Sequence, residues 1–166
     1  MTLPAGHSIR NTRETDHPVI IDAIGRWWNT PNRATVHLML PRLFLQFFTK
    51  TSFFVENEQG EIAAFLVGFR SPDDPDIAYI HFVGVDPSVR EVGLARDLYE
   101  RFFEIMRAEG AVEVRAITGP ANLRSQAFHK AMGFEPHGDT DFDGVTAYAD
   151  YDGPGENRVT FSRPLN

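Results

Sequence analysis

Between Ile77 and Thr118 the chain passes from an apolar strand through Asp86-Pro87 and Gly93 into a helix, and then from Gly110 into a second strand. Ile77 to Val85 carries strand-forming residues. Leu94, Leu98, Phe102, Ile105 and Met106 recur on one side of the segment from Gly93 to about Glu109, the period of an amphipathic helix. Gly110 ends that helix, and Val112 to Thr118 alternates as a buried strand. A strand, a crossover helix and a strand in this order make a parallel pair. The passage therefore puts the chain in the mixed α/β class.

The flanking segments fit that class. His7 to Thr15 reads as an edge strand, and Asp16-His17-Pro18 as a helix start with Asp16 as cap. The helix carries Ile20, Ile21, Ile24, Trp27 and Trp28, ends near Asn29, and is broken by Thr30-Pro31-Asn32. Of the adjacent tryptophans only one can face the core fully, which leaves the other to wall an acceptor cleft. Val36 to Lys50 reads as a helix starting or kinking at Pro41, with Leu43, Phe44, Phe47 and Phe48 on one face. Ser52 to Glu58 and Glu61 to Arg70 form a hairpin around Gln59-Gly60. Asn122 to Met132 is a short helix closed by Gly133, and Phe134 starts another strand. His137 to Asn157 is rich in Gly, Asp and Tyr, with part of a strand around Val145 to Tyr148. Arg158 to Phe161 is the last strand. No repeat or linker interrupts residues 1–166, so a single domain is expected.

Composition excludes several kinds of chemistry. No cysteine is present, so disulfides, a thiolate nucleophile and a thiolate metal site are excluded. The net charge of −7, from 23 acids against 16 Lys+Arg, argues against broad nucleic-acid binding. No window reaches the roughly 20 apolar residues of a membrane helix, and no signal peptide pattern begins the chain. A cytoplasmic location without membrane association is the expectation. The aspartates from Asp139 to Asp143 lack the twelve-residue calcium pattern, and no metal site is expected. They and the acids from Asp150 to Glu156 read mainly as solvated turns, with an acceptor ammonium as the alternative partner.

The stretch Arg90-Glu91-Val92-Gly93-Leu94-Ala95-Arg96 lies where strand gives way to helix. A helix start presents unbonded N–H groups, and its dipole adds about half a positive charge. Glycine there permits close approach by a phosphate or an unusual dihedral, and Arg90 and Arg96 supply two cationic arms. The three glycines of a dinucleotide fingerprint and the Lys-Ser/Thr of a P-loop are absent. Two readings fit: an anion site, or a glycine that merely begins a helix. A second stretch, Asn122 to Glu135, offers Asn122 as cap, Ser125 in the first turn, and Phe128, His129 and Met132 farther along.

Together the stretches carry a resemblance. Arg90-x-x-Gly93-x-Ala95 resembles the pyrophosphate loop of the GNAT N-acetyltransferase superfamily. Asn-x-x-Ser-x-x-Phe-His-x-x-x-Gly-Phe, from Asn122 to Phe134, resembles the superfamily's second segment. The resemblance covers most of the chain and is firmest from about Tyr79 to Glu135. It implies an α/β GNAT-like fold: a mixed, mostly antiparallel central sheet with a splayed parallel strand pair and flanking helices. It implies an N-acetyltransferase that moves an acetyl group from acetyl-CoA to a primary amine by direct attack in a ternary complex. The alternative is an acyl-CoA-binding or regulatory module with little catalysis. The acceptor would be a small-molecule amine or a protein amino group. Family members are often dimers, so a homodimer is the assembly implied.

Residue by residue, the resemblance assigns the pantetheine arm to backbone groups of Val83 and Val85, with Gly84 marking a bulge in their strand. The pyrophosphate falls to the amides of Val92, Gly93, Leu94, Ala95 and Arg96, with Arg90 helping on the loop. Asn122, Ser125 and Phe128 would also meet the cofactor. His129 stands where many relatives have the tyrosine that protonates the leaving thiolate. It reads either as that acid or as a structural wall residue, with Tyr99 and Tyr148 as further candidates. Tyr79 stands where some relatives carry a basic Glu. His81, on the same strand face, is the better base on its ordinary pKa, or else a hydrogen-bonded core histidine. Glu91 is expected to point away from the phosphates.

Overall fold

The computed structural model describes residues 3–28 and 33–165. The chain divides into two compact units, Met1–Phe69 with Ile80–Ile105, and Arg70–Tyr79 with Met106–Asn166. Strand β4, Ile77–Val85, and helix α4, Leu94–Ala108, run from one unit into the other.

The first unit contains β1 (His7–Asn11), α1 (His17–Trp27), α2 (Arg33–Val36), α3 (Leu43–Phe47), β2 (Phe53–Asn57) and β3 (Ile62–Arg70) but for its last residue. Pro18 suits the first turn of α1, where its missing N–H breaks no helical bond. Ile20, Ala23, Ile24 and Trp27 recur at helical spacing and are buried. They pack with Phe54, Phe65, Val67 and Phe82 into one core cluster. Asp16 does not cap α1. Its carboxylate instead accepts the Arg13 amide and both ends of the Arg10 guanidinium, at 2.7–2.9 Å.

Two expectations change here. The segment from Val36 to Lys50 is a chain of short turns, His37–Met39, Leu43–Phe47 and Thr49–Thr51, because Pro41 cannot donate to a continuous helix. Val36, Leu40 and Leu45 are its buried residues, and Phe44 meets Phe48 at 5.9 Å, whereas Phe47 is 75% exposed. Trp28 packs on the core, 5.4 Å from the Phe82 ring, and is no free wall for an acceptor. Thr30-Pro31-Asn32 and Asn29 lie outside the described residues.

The second unit contains β5 (Glu113–Thr118), α5 (Leu123–Ala131), β6 (Glu135–His137), the hairpin β7 (Thr140–Phe142) and β8 (Val145–Ala147), and β9 (Val159–Pro164). The hairpin turns on Asp143 and Gly144, both at positive φ (52° and 86°). Positive φ at both central residues is the type I′ geometry that matches strand twist.

Seven strands join in the order β1-β2-β3-β4-β5-β9-β6, with β7-β8 apart. The parallel pair is β4 with β5, in the register Ile77↔Glu113, Ala78↔Val114 and Tyr79↔Arg115. β5 pairs antiparallel with β9 along its whole length, and β6 pairs with β9. Among the described residues, no helix is long and apolar enough to cross a membrane.

Candidate active site

Strand β4 alternates strictly. Ala78, Ile80, Phe82 and Gly84 are buried, while Ile77, Tyr79, His81, Val83 and Val85 are half-buried on the other face. Gly84 is required for space. A Cβ there would lie 2.5 Å from Cε1 of Phe65 and 3.1 Å from the Trp28 ring. That close packing is in itself a reason for the glycine.

After β4, Asp86 accepts the Ser88 amide and hydroxyl at 2.8 and 2.7 Å and opens a 3-10 turn, Pro87–Val92. Gly93 follows in the left-handed conformation, φ 89° and ψ 5°. A Cβ on Gly93 would meet nothing within 4 Å, so the dihedral alone selects glycine. The turn starts α4, whose first intrahelical bond runs from the Asp97 amide to the Gly93 carbonyl, 3.0 Å. Leu94, Ala95 and Arg96 therefore precede the helical ladder, and their N–H groups have no carbonyl one turn back within α4. Val92, Gly93 and Arg96 are exposed beside them. An exposed helix start of fifteen residues with open space at the glycine fits a pyrophosphate.

The Arg90 side chain turns back into the protein. Its Nε donates to the Val85 carbonyl at 3.1 Å and its Nη2 to the Trp27 carbonyl at 3.2 Å. It ties the loop to the ends of β4 and α1, a bracing role that spacing does not reveal. Glu91 lies in the 3-10 turn; its side chain is outside the described residues.

His81 stacks face to face on Phe44, with centroids 4.0 Å apart and planes 8° apart. Its Nε2 meets the Met39 carbonyl. A carbonyl only accepts, so Nε2 carries the proton and Nδ1 is the basic atom of the neutral ring. Burial, then the nearby Tyr151 and Asp152, pushes the Tyr79 phenol well above its ordinary value. At neutral pH it is a hydrogen-bond donor and a poor base.

In the second unit, Asn122 caps α5 by accepting the Ser125 amide at 3.1 Å. Phe128 is half-buried, its ring edge-on to His129. His129 is 4% exposed, stacked on Phe161 and edge-on to Phe134. Its Nδ1 donates to the Ser125 carbonyl at 2.8 Å. Burial lowers its pKa below 6.5, only partly offset by that bond. The ring is thus neutral at pH 7 with its proton committed to a backbone carbonyl, the setting of a core histidine. Tyr99 is also a core residue, buried in α4 against Phe103.

The acids from Asp150 to Glu156 serve their own loop. Arg158 holds Asp152 at 2.7 Å and Glu156 at 2.8 Å, and Asp150 accepts the Gly155 amide at 2.6 Å. Tyr148 and Arg158 exchange backbone bonds of 2.7 and 3.0 Å. This clamp presents Tyr148 and Tyr151, ring centroids 6.1 Å apart, at a cavity of about 460 Å³ that Tyr79 also lines. The open faces of β5 and β9 line it too, with Arg115 and Ser162. No motif in the sequence marks these strand residues. The alternation of Glu113, Arg115 and Ile117 against buried Val114, Ala116 and Thr118 signals an open face, but its closure by a loop some 35 residues on is a tertiary fact.

The acetyltransferase (GNAT) family model matches residues 21–134. L-2,4-diaminobutyric acid acetyltransferase from Marinococcus halophilus is 30% identical over 120 residues, covering 70% of this chain and 69% of that one. The Vibrio parahaemolyticus protein of the same name is 38% identical over 80 residues, 48% of this chain and 42% of that one. The matched stretch thus spans only 42% and 69% of the length of these two relatives. The solved structure of the diaminobutyrate acetyltransferase of Paenibacillus lautus, in complex with L-2,4-diaminobutyric acid and coenzyme A, superposes with a TM-score of 0.66. That comparison covers 96% of both chains at 18% identity, a likeness of fold. With more than half of its residues matched by the family model and the same fold throughout, the chain belongs to the GNAT family of acetyltransferases.

Proposed function

We propose that the protein transfers an acetyl group from acetyl-CoA to a primary amine, and that the acceptor is a small diamino acid. The left-handed turn at Gly93 carries this reading. It leaves the amides of Leu94, Ala95 and Arg96 at an exposed helix start, where a pyrophosphate gains both hydrogen bonds and the helix dipole. The diaminobutyrate acetyltransferases among the relatives support the acceptor class.

Acetyl-CoA supplies an activated acetyl thioester. The chain's own groups hold its pyrophosphate at residues 92–96, with Arg90 fixing the loop from behind. Backbone groups of Val83 and Val85 take the pantetheine arm. Nδ1 of His81 accepts the proton that the attacking amine loses, directly or through one water. Tyr79 is ill suited to that step because its phenol remains protonated. His129 is assigned to the core of α5, and Asn122 and Ser125 to the start of that helix.

The test is calorimetric titration with CoA, followed by thiol release from acetyl-CoA with L-2,4-diaminobutyrate, other diamino acids and peptide N-termini. CoA binding and turnover with diamino acids are expected. Absence of CoA binding overturns the reading, and turnover confined to peptides overturns the acceptor class.

A further inference from the structure

The cavity over β5 and β9 has a chemistry that the transfer itself does not account for. Its volume of about 460 Å³ lies in the range of small-ligand sites. Arg115 projects from the open face of β5, and its Nε donates to Glu113 at 2.6 Å. That bond fixes the plane of the guanidinium and leaves its two terminal nitrogens without another ionic partner among the described residues. A planar fork of this kind matches a carboxylate, which it holds with two parallel bonds.

The other walls agree. The Tyr79 phenol is kept protonated and so donates. The Ser162 hydroxyl, held 2.8 Å from Nε2 of His137, is a further polar group at the rim. Tyr148 and Tyr151 add apolar ring faces suited to a short carbon chain. Asp152 and Glu156 are not available to an ammonium, because both are paired with Arg158. A phosphate-bearing ligand would meet one guanidinium in a chain of net charge −7.

We infer that this cavity receives the carboxylate of the acceptor amino acid, with Arg115 as its specificity-determining fork and Glu113 as the positioning residue. The inference rests on the reading of the protein as an amine acetyltransferase. It makes the enzyme select amines that carry a carboxylate over those that do not.

Binding is measured first, without turnover. L-2,4-diaminobutyrate and 1,3-diaminopropane, its counterpart without the carboxylate, are titrated calorimetrically into wild type, Arg115→Gln, Arg115→Lys and the neutral double variant Glu113→Gln/Arg115→Gln. Arg115→Gln is expected to weaken diaminobutyrate at least tenfold and to change diaminopropane less than twofold. Arg115→Lys, which keeps the charge without the fork, restores part of the loss, and the double variant stays weak. The inference is overturned if Arg115→Gln binds diaminobutyrate as wild type does, or if the double variant recovers wild-type binding. Thermal unfolding of each variant reports folding, and Tyr151→Ala, at a loop residue 51% exposed, gives an independent disturbance of the same cavity. It should weaken diaminobutyrate severalfold, and unchanged binding counts against the site. The thiol-release assay tests the transferase reading separately: binding that depends on Arg115 with no turnover would overturn that reading and leave the carboxylate site standing.

Discussion

The imidazole of His129 lies on the ring of Phe161, centroids 4.6 Å apart and planes inclined by 17°. This stacking ties α5 to β9 in the interior of the second unit, while the Nδ1 bond to the Ser125 carbonyl fixes the ring on α5. Burial keeps the folded-state pKa below the ordinary 6.5. As pH falls through 6.5 the unfolded chain therefore takes up the proton first, and stability is lost until the folded-state pKa is reached. The slope from this one group is at most about 1.4 kcal/mol per pH unit. Urea unfolding at pH 7.5 and 5.5 should show a smaller acid loss for His129→Phe than for wild type. Equal losses would assign the pH dependence to other groups.

Gly93→Ala separates dihedral from space at the turn that precedes α4. Alanine in the left-handed region costs roughly 1 kcal/mol or more, although its methyl meets nothing. The KM for acetyl-CoA should rise about tenfold while the KM for the amine changes little. Gly93→Asn, which tolerates that conformation better, should recover most of the affinity. Alanine and asparagine behaving alike would count against a dihedral role.

Gly84→Ala meets the opposite situation. Its methyl would stand 2.5 Å from Cε1 of Phe65 in a packed interior, and overpacking of this kind costs roughly 1–3 kcal/mol. Chemical denaturation should show that loss, with partial rescue in Gly84→Ala/Phe65→Leu. No rescue would place the clash elsewhere.

For proton transfer, His81→Gln should lower kcat/KM by about two orders of magnitude and remove the acidic limb of its pH profile. His129→Gln should instead lower the unfolding temperature and leave the shape of the profile unchanged. An intact acidic limb in His81→Gln would exclude His81 as the base.

Arg90→Met removes the two carbonyl contacts that brace the turn. If Arg90 acts by bracing, the KM for acetyl-CoA rises and its salt dependence stays near that of wild type. A phosphate contact would instead reduce the salt dependence, so log KM against log salt decides between them.

Where the determinants were local, the sequence was legible. The bounds of β4 follow from its alternation, the cap at Asn122 from its side chain, and the turn at Gly93 from the residue that tolerates positive φ. The Asp143-Gly144 hairpin was also written locally, as the pair that a type I′ turn prefers, yet it read as an acidic loop because β7 and β8 are three residues each. Val36 to Lys50 misled because its helical spacing spans Pro41, and the exposed side of its short turns carries Leu43 and Phe47.

The sequence by itself determined the class of fold and the family, because a β-α-β passage with glycine at the helix start is set by residues close along the chain. Tertiary structure decided what the ionisable groups do. His129 is neutral because aromatic rings from β9 and its own neighbourhood exclude water. Arg90 braces because the carbonyls of Val85 and Trp27, the latter 63 residues away, lie within its reach. Arg115 lines a cavity because Arg158 folds the tyrosine loop into place beside β5 and β9. Each outcome depends on desolvation and on partners distant in sequence, which local spacing does not encode.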